Sequence, residues 1–242
     1  MEKPPISKHQ NVVANVKMKK EIKQKSEFYS KLIEKNSNQL KEFYDHSFRE
    51  FCELNFLKNE ILTCQLFELF QSSIFSTNHL LERMIKLSLI KKHTIEYDYS
   101  DIENYSEKLK ESESEFDGLT LNNSLKKALE NELITESEYN CLIDSKNEFR
   151  NPYSHAEIGK VIKNDNDFSG FMFNINDVKE KLKSGKPLDI PEPTIIPKFS
   201  PAIAQFLQEN NSRQLAFEYF KKVFGILKKL EIRITELKSK KQ

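Results

Sequence analysis

The chain has 242 residues, enough for one sizeable hydrophobic core, so a single main domain is expected. Its 38 Lys and Arg residues are balanced by 37 Asp and Glu residues, which excludes a strong overall field for gathering nucleic acid but leaves room for local basic patches. Five glycines and eight prolines beside abundant Leu, Lys, Glu and Phe are typical of an all-α protein and argue against a β-sandwich or a dinucleotide-binding sheet.

The N-terminal third predicts a basic arm followed by two long helices. Residues 1–25 are polar and lysine-rich, which favours either a solvated arm or the first exposed turns of a helix. From Phe28 the apolar residues recur at helical spacing, so a long amphipathic helix, or a broken pair, is predicted to about residue 58. A second helix, with more buried positions, is predicted over 60–91.

No stretch of the sequence is typical of a membrane segment. The longest apolar run, 61–90, is interrupted by polar residues such as Gln65 and Glu68, and the N-terminus lacks the apolar core of a signal peptide. We therefore expect a soluble cytoplasmic protein with no membrane partner. The three cysteines, Cys52, Cys64 and Cys141, lie far apart in apolar helical runs, which predicts buried free thiols in a reducing compartment.

The middle of the chain predicts a connection and two short helices. Residues 93–118 are acidic and weakly periodic, so we expect a mobile connection with one short helix. A short helix is predicted over about 123–132. Thr135 with Glu138 three residues later forms a capping-box pattern, which predicts the start of a helix that runs through Phe149.

A Pro-rich insertion is predicted before the last long helix. Residues 159–200 contain turn residues and the non-helical sequence "PLDIPEPTIIP", so we expect a hairpin or an irregular flap. Pro201 then begins a long helix that ends in a basic tail, in the segment 201–242. Four to five helices, from 26–158 and 201–242, predict an antiparallel bundle.

The stretch "NEFRNPYSHAE", 147–157, carries the strongest functional signal. Asn151-Pro152 breaks the helix, so Arg150 ends one helix and His155 lies one turn into the next, with both side chains facing one cleft. Arg150 also follows the apolar stripe of its helix, where a guanidinium needs a carboxylate or an anionic ligand. Glu82 is a candidate partner across the bundle, although its pairing with Lys86 is the simpler account.

These residue types match the needs of RNA cleavage without a metal. The reaction needs a base for the 2′-hydroxyl, an acid for the departing 5′-oxygen, and a fixed cation at the phosphate. Imidazole serves in either protonation state, and guanidinium matches the phosphate oxygens. Because one histidine cannot be base and acid at once, a homodimer that combines two copies of the motif is favoured. His79 and Glu82 lack a second ligand pair, so we expect no metal and no cofactor.

The sequence "RNPYSH" resembles the R-x4-6-H signature of the HEPN superfamily, including the polar residue that commonly follows the arginine. HEPN proteins are helical bundles, often homodimeric, and many are metal-independent ribonucleases of toxin-antitoxin, abortive-infection and CRISPR-associated defence systems. The resemblance covers the motif and, loosely, the helical pattern of 26–158 and the last helix. The insertion and the N-terminal arm lie outside it.

The resemblance implies that Arg150 and His155 form the catalytic pair and that Asn151 positions them or the phosphate. It implies an RNA substrate and an antitoxin or other regulatory protein as a partner. Tyr153, inside the motif, is a candidate supporting residue, as is Glu82. Some HEPN toxins carry a modified tyrosine two residues after the histidine, but that position is Glu157 here. Two alternatives stay open: a catalytically silent HEPN module that binds RNA, a nucleotide or a protein, and a helical interaction subunit with an accidental motif.

Overall fold

The chain folds into an all-α helical bundle with a small two-stranded sheet, which confirms the predicted fold class. The computed structural model describes residues 8–97, 101–150, 168–196 and 201–240, and the side chains of 18–97, 101–149, 169–195 and 205–240. The first three helices are α1 (Lys8–Asp45), α2 (Asn55–Leu66) and α3 (Phe70–Thr94). Next come α4 (Ile102–Phe116), α5 (Leu121–Glu130) and α6 (Glu136–Ser145), and α6 continues directly into a π-helical turn, Lys146–Arg150.

The C-terminal part contains the sheet and the longest helix. Strands β1 (Phe168–Gly170) and β2 (Thr194–Ile196) pair antiparallel and enclose α7 (Ile175–Ser184). Helix α8 (Pro201–Ser239) begins at the predicted proline and returns along the bundle. The described part of the insertion, 168–196, contains the strand pairing of the predicted hairpin, but the sequence did not predict the 10-residue helix between the two strands.

Helix α3 lies at the centre of the bundle, where it packs against α2, α4, α5 and α8. Each helix except α7 contributes an apolar stripe to the bundle, because no helix can bury such a face alone. Fully buried side chains from the different helices include Leu40, Leu62, Leu81, Leu125, Leu142 and Phe220. Burial of one such side chain stabilises the fold by about 1.5–3 kcal/mol.

Helices α1, α3 and α8 run in the same direction. Phe43 of α1 contacts Phe220 and Phe224 of α8, with ring centroids 5.4 and 5.0 Å apart. Nearer the N-terminal ends, Lys35 of α1 and Arg213 of α8 both pair with Glu68. The contacts of α1 and α8 therefore advance together along the two helices, and α1 extends beyond the bundle on the N-terminal side of this group.

The predicted helices over 28–58 and 60–91 have different boundaries in the structure. The first ends at Asp45, where the buried Lys58 ammonium donates to the carbonyl oxygens of Phe43 and His46. These are carbonyls that the end of a helix leaves without partners, and a cation there also interacts favourably with the helix dipole. The second is divided before α3 by Glu68, whose φ of 57° ends α2 in a left-handed conformation.

Two further predictions from the sequence, on the segment 93–118 and on the burial of the cysteines, were wrong in part. The acidic segment 93–118 contains a 15-residue helix, α4, which packs on α3 through Phe116, because its few apolar residues fall on one face. The three cysteines are free thiols, but Cys52 is exposed and Cys64 and Cys141 are half-buried. Within the described residues, no helix has the length and apolar character needed to cross a bilayer.

Candidate functional site

The helix that leads to Arg150 is held at its start by the predicted capping box. The Thr135 side chain accepts from the Glu138 backbone N–H, and Glu138 Oε2 accepts from the Thr135 backbone N–H at 2.9 Å. The Glu138 carboxylate is buried and also accepts two bonds from the Arg233 guanidinium, at 2.7 and 3.0 Å. One residue therefore caps α6 and ties it to α8.

These contacts determine the ionisation of Glu138. Desolvation by burial raises the pKa of this carboxyl, but the hydrogen bonds and charges of Arg233 and Lys229, with the Thr135 N–H, outweigh it and lower the pKa to about 2. The carboxylate is therefore charged over the whole physiological pH range, and its ion pair with Arg233 holds α6 against α8 throughout that range.

The other end of α6 widens into the π-helical turn, Lys146–Arg150. Within this turn Phe149 is buried and stacks on Tyr219 of α8, with ring centroids 4.4 Å apart and 19° between the planes. The Tyr219 hydroxyl donates to Asn78 Oδ1 of α3 at 2.8 Å. A single π-helical turn inserted in an α-helix is frequent at functional sites. Here Phe149 anchors the turn between α3 and α8.

The structure describes only part of the sequence-predicted site. Arg150 is the last residue of the π-helical turn, and the structure describes its backbone but not its side chain. Asn151, Tyr153 and His155 lie outside the described residues. The pairing of Arg150 with His155 therefore stays a prediction. The structure adds the position of the π-helical turn that ends at Arg150.

Glu82 follows Asn78 by four residues, so the two side chains lie on the same side of α3, one turn apart. It lines a cleft of about 360 Å³ together with His79, Arg83, Lys86, Leu87, Ile90 and Asp117. Its Oε1 lies 3.3 Å from Lys86 Nζ, the pairing expected from their spacing, and Lys86 also donates to the backbone oxygen of Asp117. A contact between Glu82 and Arg150 stays a prediction.

The cleft has the composition of a polar binding surface. Arg83 and Lys86 supply permanent positive charge, His79 supplies an imidazole, and Leu87 and Ile90 form an apolar wall. Arg83 and His79 are exposed, so both are accessible to a ligand. The carboxylates of Glu82 and Asp117 also line the cleft and balance these two cations, so it is a polar surface of mixed charge.

Two residues beside the π-helical turn are absent from the sequence-predicted site. Asn78 and Tyr219 are buried among apolar neighbours and hydrogen-bond each other, and Asn78 Nδ2 has no hydrogen-bond partner among the described residues. The only local indication of such a residue in the sequence is a polar side chain at a helix position that the spacing of the apolar residues predicts to be buried. A buried amide N–H that makes no hydrogen bond lowers the stability of the fold, so a purely structural role does not account for it. The Asn78–Tyr219 pair is therefore a candidate for positioning residues of the site.

A metal centre finds no support in the described part of the chain, where no three His, Cys, Asp or Glu side chains lie close enough to hold one ion. What the described residues do combine is a guanidinium-bearing residue at the end of a π-helical turn, a buried Asn–Tyr pair and a polar cleft on the adjacent helix. Comparison with known proteins found no matching family model, no matching curated protein and no matching solved structure.

Proposed function

We propose that this chain is a metal-independent endoribonuclease of the HEPN type, a prokaryotic toxin or anti-phage defence effector that acts as a homodimer. The observation that carries the proposal is the location of Arg150. It ends a π-helical turn that Phe149 anchors between α3 and α8 of an all-α bundle, and the R-x4-H motif begins there. The cleft on α3 adds the exposed guanidinium of Arg83, a group that can bind a phosphate.

In the proposed reaction Arg150 binds the scissile phosphate and stabilises the charge that develops on its oxygens. His155 of one copy removes the proton of the 2′-hydroxyl, which attacks the phosphorus, and His155 of the second copy protonates the departing 5′-oxygen. The products are a 2′,3′-cyclic phosphate and a 5′-hydroxyl. Asn151 positions the phosphate, and Glu82 and Tyr153 support the pair.

The proposal also includes a partner that restrains the enzyme, because a free ribonuclease damages its own cell. The described part of the insertion, 168–196, is a suitable docking element for an antitoxin or another regulatory protein. Its large apolar side chains are exposed, and none of its described side chains is buried. The exposed set is Phe171, Met172, Phe173, Ile175, Leu182, Leu188, Ile190 and Ile195. Exposed apolar groups at this density are typical of interaction sites.

The proposal is tested with purified protein, RNA and excess EDTA. The parent is expected to cut RNA, to leave DNA intact and to release a 2′,3′-cyclic phosphate, since the 2′-hydroxyl is the nucleophile available to a His/Arg site without a metal. His155→Ala should reduce the rate by about 10² to 10⁴, and Arg150→Ala by about 10² to 10³. Arg150→Lys should restore only part of the rate, because an ammonium cannot replace the guanidinium fork.

Arg49→Ala serves as the matched control, since Arg49 is an exposed arginine at the opposite end of the bundle and should leave the rate unchanged. Equal melting temperatures of the variants show that the losses are chemical. Cleavage by the Arg150→Ala, His155→Ala double variant at the parental rate would reject the proposal. Binding of RNA without cleavage by the parent would favour the silent binding module instead.

A further inference from the structure

The cleft on α3 contains two opposite charges that do not pair with each other. The ammonium of Lys86 is satisfied within the cleft, since it lies 3.3 Å from Glu82 and also donates to the backbone oxygen of Asp117. The guanidinium of Arg83 and the carboxylate of Asp117 make no ion pair with any residue that the structure describes. Both side chains are exposed, so each is available to a ligand.

Two helices present these charges to the cleft. Arg83 lies on α3, one turn after His79 and one turn before Leu87. Asp117 ends α4, where its backbone N–H donates to the Glu113 carbonyl oxygen. A carboxylate at the C-terminal end of a helix is unfavourable, because the helix dipole is negative there. The stability of α4 therefore does not account for an acidic residue at this position.

The size and the apolar wall of the cleft suit one planar base. The cleft has a volume of about 360 Å³, at the lower end of the range for small-ligand sites, ~300–1,000 Å³. Leu87 and Ile90 form a wall on which a flat ring can pack. A ligand that uses the whole cleft combines a flat apolar body with donors for Asp117 and acceptors for Arg83.

Guanine is the nucleobase whose edges match both charges. The carboxylate of Asp117 accepts, and guanine presents two adjacent donors, N1–H and the N2 amino group. The guanidinium of Arg83 donates through a planar fork, and guanine presents two adjacent acceptors, O6 and N7. Adenine and cytosine each carry one exocyclic amino group and uracil carries none, so these bases cannot make both two-bond contacts.

The cleft also lies near the π-helical turn. Its first residue on α3, His79, follows Asn78, whose side chain accepts from the Tyr219 hydroxyl. Tyr219 stacks on Phe149, the residue before Arg150. A base in the cleft therefore belongs to a nucleotide close to the phosphate that the proposed reaction cleaves.

We propose that this cleft binds a guanine base of the RNA, with Asp117 accepting from N1–H and the N2 amino group and Arg83 donating to O6 and N7. The inference rests on the proposed function for its natural ligand, and it makes these two residues determinants of the cleavage sequence. Asp117 contacts the edge that guanine uses to pair with cytosine, so the base is bound unpaired.

The first test measures the binding of nucleoside monophosphates to the full chain by NMR titration. GMP is expected to bind in the millimolar range and at least about fivefold more tightly than AMP. IMP lacks the N2 amino group, and 7-deaza-GMP lacks the N7 acceptor. Each of these two analogues should bind at least about fivefold more weakly than GMP, because each loses part of one two-bond contact.

Two substitutions assign the contacts separately. Asp117→Ala should bind GMP and IMP equally but keep its preference for GMP over 7-deaza-GMP. Arg83→Met should bind GMP and 7-deaza-GMP equally but keep its preference for GMP over IMP. The matched controls are Glu113→Ala, which removes an exposed carboxylate of α4 outside the cleft, and Arg49→Met, which removes an exposed guanidinium at the opposite end of the bundle. Both controls should keep both preferences.

The guanine site would be overturned by a parent that binds the four nucleotides equally, or that binds none of them at about 10 mM. Variants at Asp117 and Arg83 that keep both preferences would overturn the assignment of the two contacts.

The second test maps the bonds that the parent cleaves in an RNA of defined sequence. Cleavage should occur next to unpaired guanines, and Asp117→Ala should lose this preference. Cleavage by the parent without any base preference would contradict the guanine site. A parent that binds GMP selectively but cuts no RNA would keep the guanine site and reject the proposed function, so the two failures are distinguishable.

Discussion

Substitution of Arg233 by methionine tests the anchor that holds α6 in the bundle. Methionine keeps much of the side-chain volume but removes the two bonds to Glu138 and the bond from Nη1 to the Leu133 carbonyl oxygen at 2.9 Å. The variant leaves a buried carboxylate with only the exposed Lys229 ammonium, 3.3 Å away, and the Thr135 N–H. An uncompensated buried charge is among the most costly defects in a folded protein.

The magnitude follows from the ionisation of Glu138. The difference between its pKa of about 2 and the usual 4.5 corresponds to about 3 kcal/mol of stability. Loss of one partner of a buried ion pair costs about 3–5 kcal/mol by an independent measure. We therefore expect Arg233→Met to lower the free energy of unfolding by about 3 kcal/mol at pH 7.

The pH dependence gives the prediction a second observable. The folded pKa of Glu138 is depressed, so its stabilisation is present above about pH 4.5 and is lost as the pH falls from 4.5 toward 2. The difference between parent and Arg233→Met should therefore be largest at neutral pH and should narrow below pH 4.5. Urea denaturation followed by far-ultraviolet circular dichroism, at pH 7 and pH 3, measures both values.

Lys229→Met is the matched control, because Lys229 contacts the same carboxylate but its side chain is 60 % exposed. An exposed ion pair contributes little, so we expect a loss below about 1 kcal/mol. The reasoning would be refuted by an Arg233→Met variant that loses less than this control, or by a loss that is the same at pH 7 and pH 3.

Two further predictions concern the surroundings of the motif. Tyr219→Phe removes the hydroxyl that donates to the buried Asn78, and should lower the free energy of unfolding by about 1–3 kcal/mol in urea denaturation. The added Asn78→Leu substitution should recover most of that loss. A double variant no more stable than Tyr219→Phe would argue against the pair. Deletion of residues 165–198 should leave the melting temperature unchanged, because no described side chain there is buried, while altering toxicity through loss of the proposed partner surface. A deletion variant that melts early would show instead that the insertion supports the bundle.

Local signals account for what the sequence predicted correctly. The capping box at Thr135 and Glu138 and the start of the last helix at Pro201 depend on contacts within a few residues. The all-α class follows from composition and from apolar spacing, which is a property of each helix by itself. The motif at Arg150 stays a prediction, because the residues from Asn151 to His155 lie outside the described part of the chain.

The tertiary structure decided what depends on residues far apart in the chain. Glu138 is a capping residue by sequence, but its pairing with Arg233 requires α6 and α8 to lie side by side. The stack of Phe149 on Tyr219 and the bond from Tyr219 to Asn78 likewise join three helices. The observed helix boundaries near Lys58 and Glu68 differ from the predicted ones for the same reason. The ends of α1 and α2 are stabilised by side chains from other helices, and the positions of those side chains are defined only in the packed bundle.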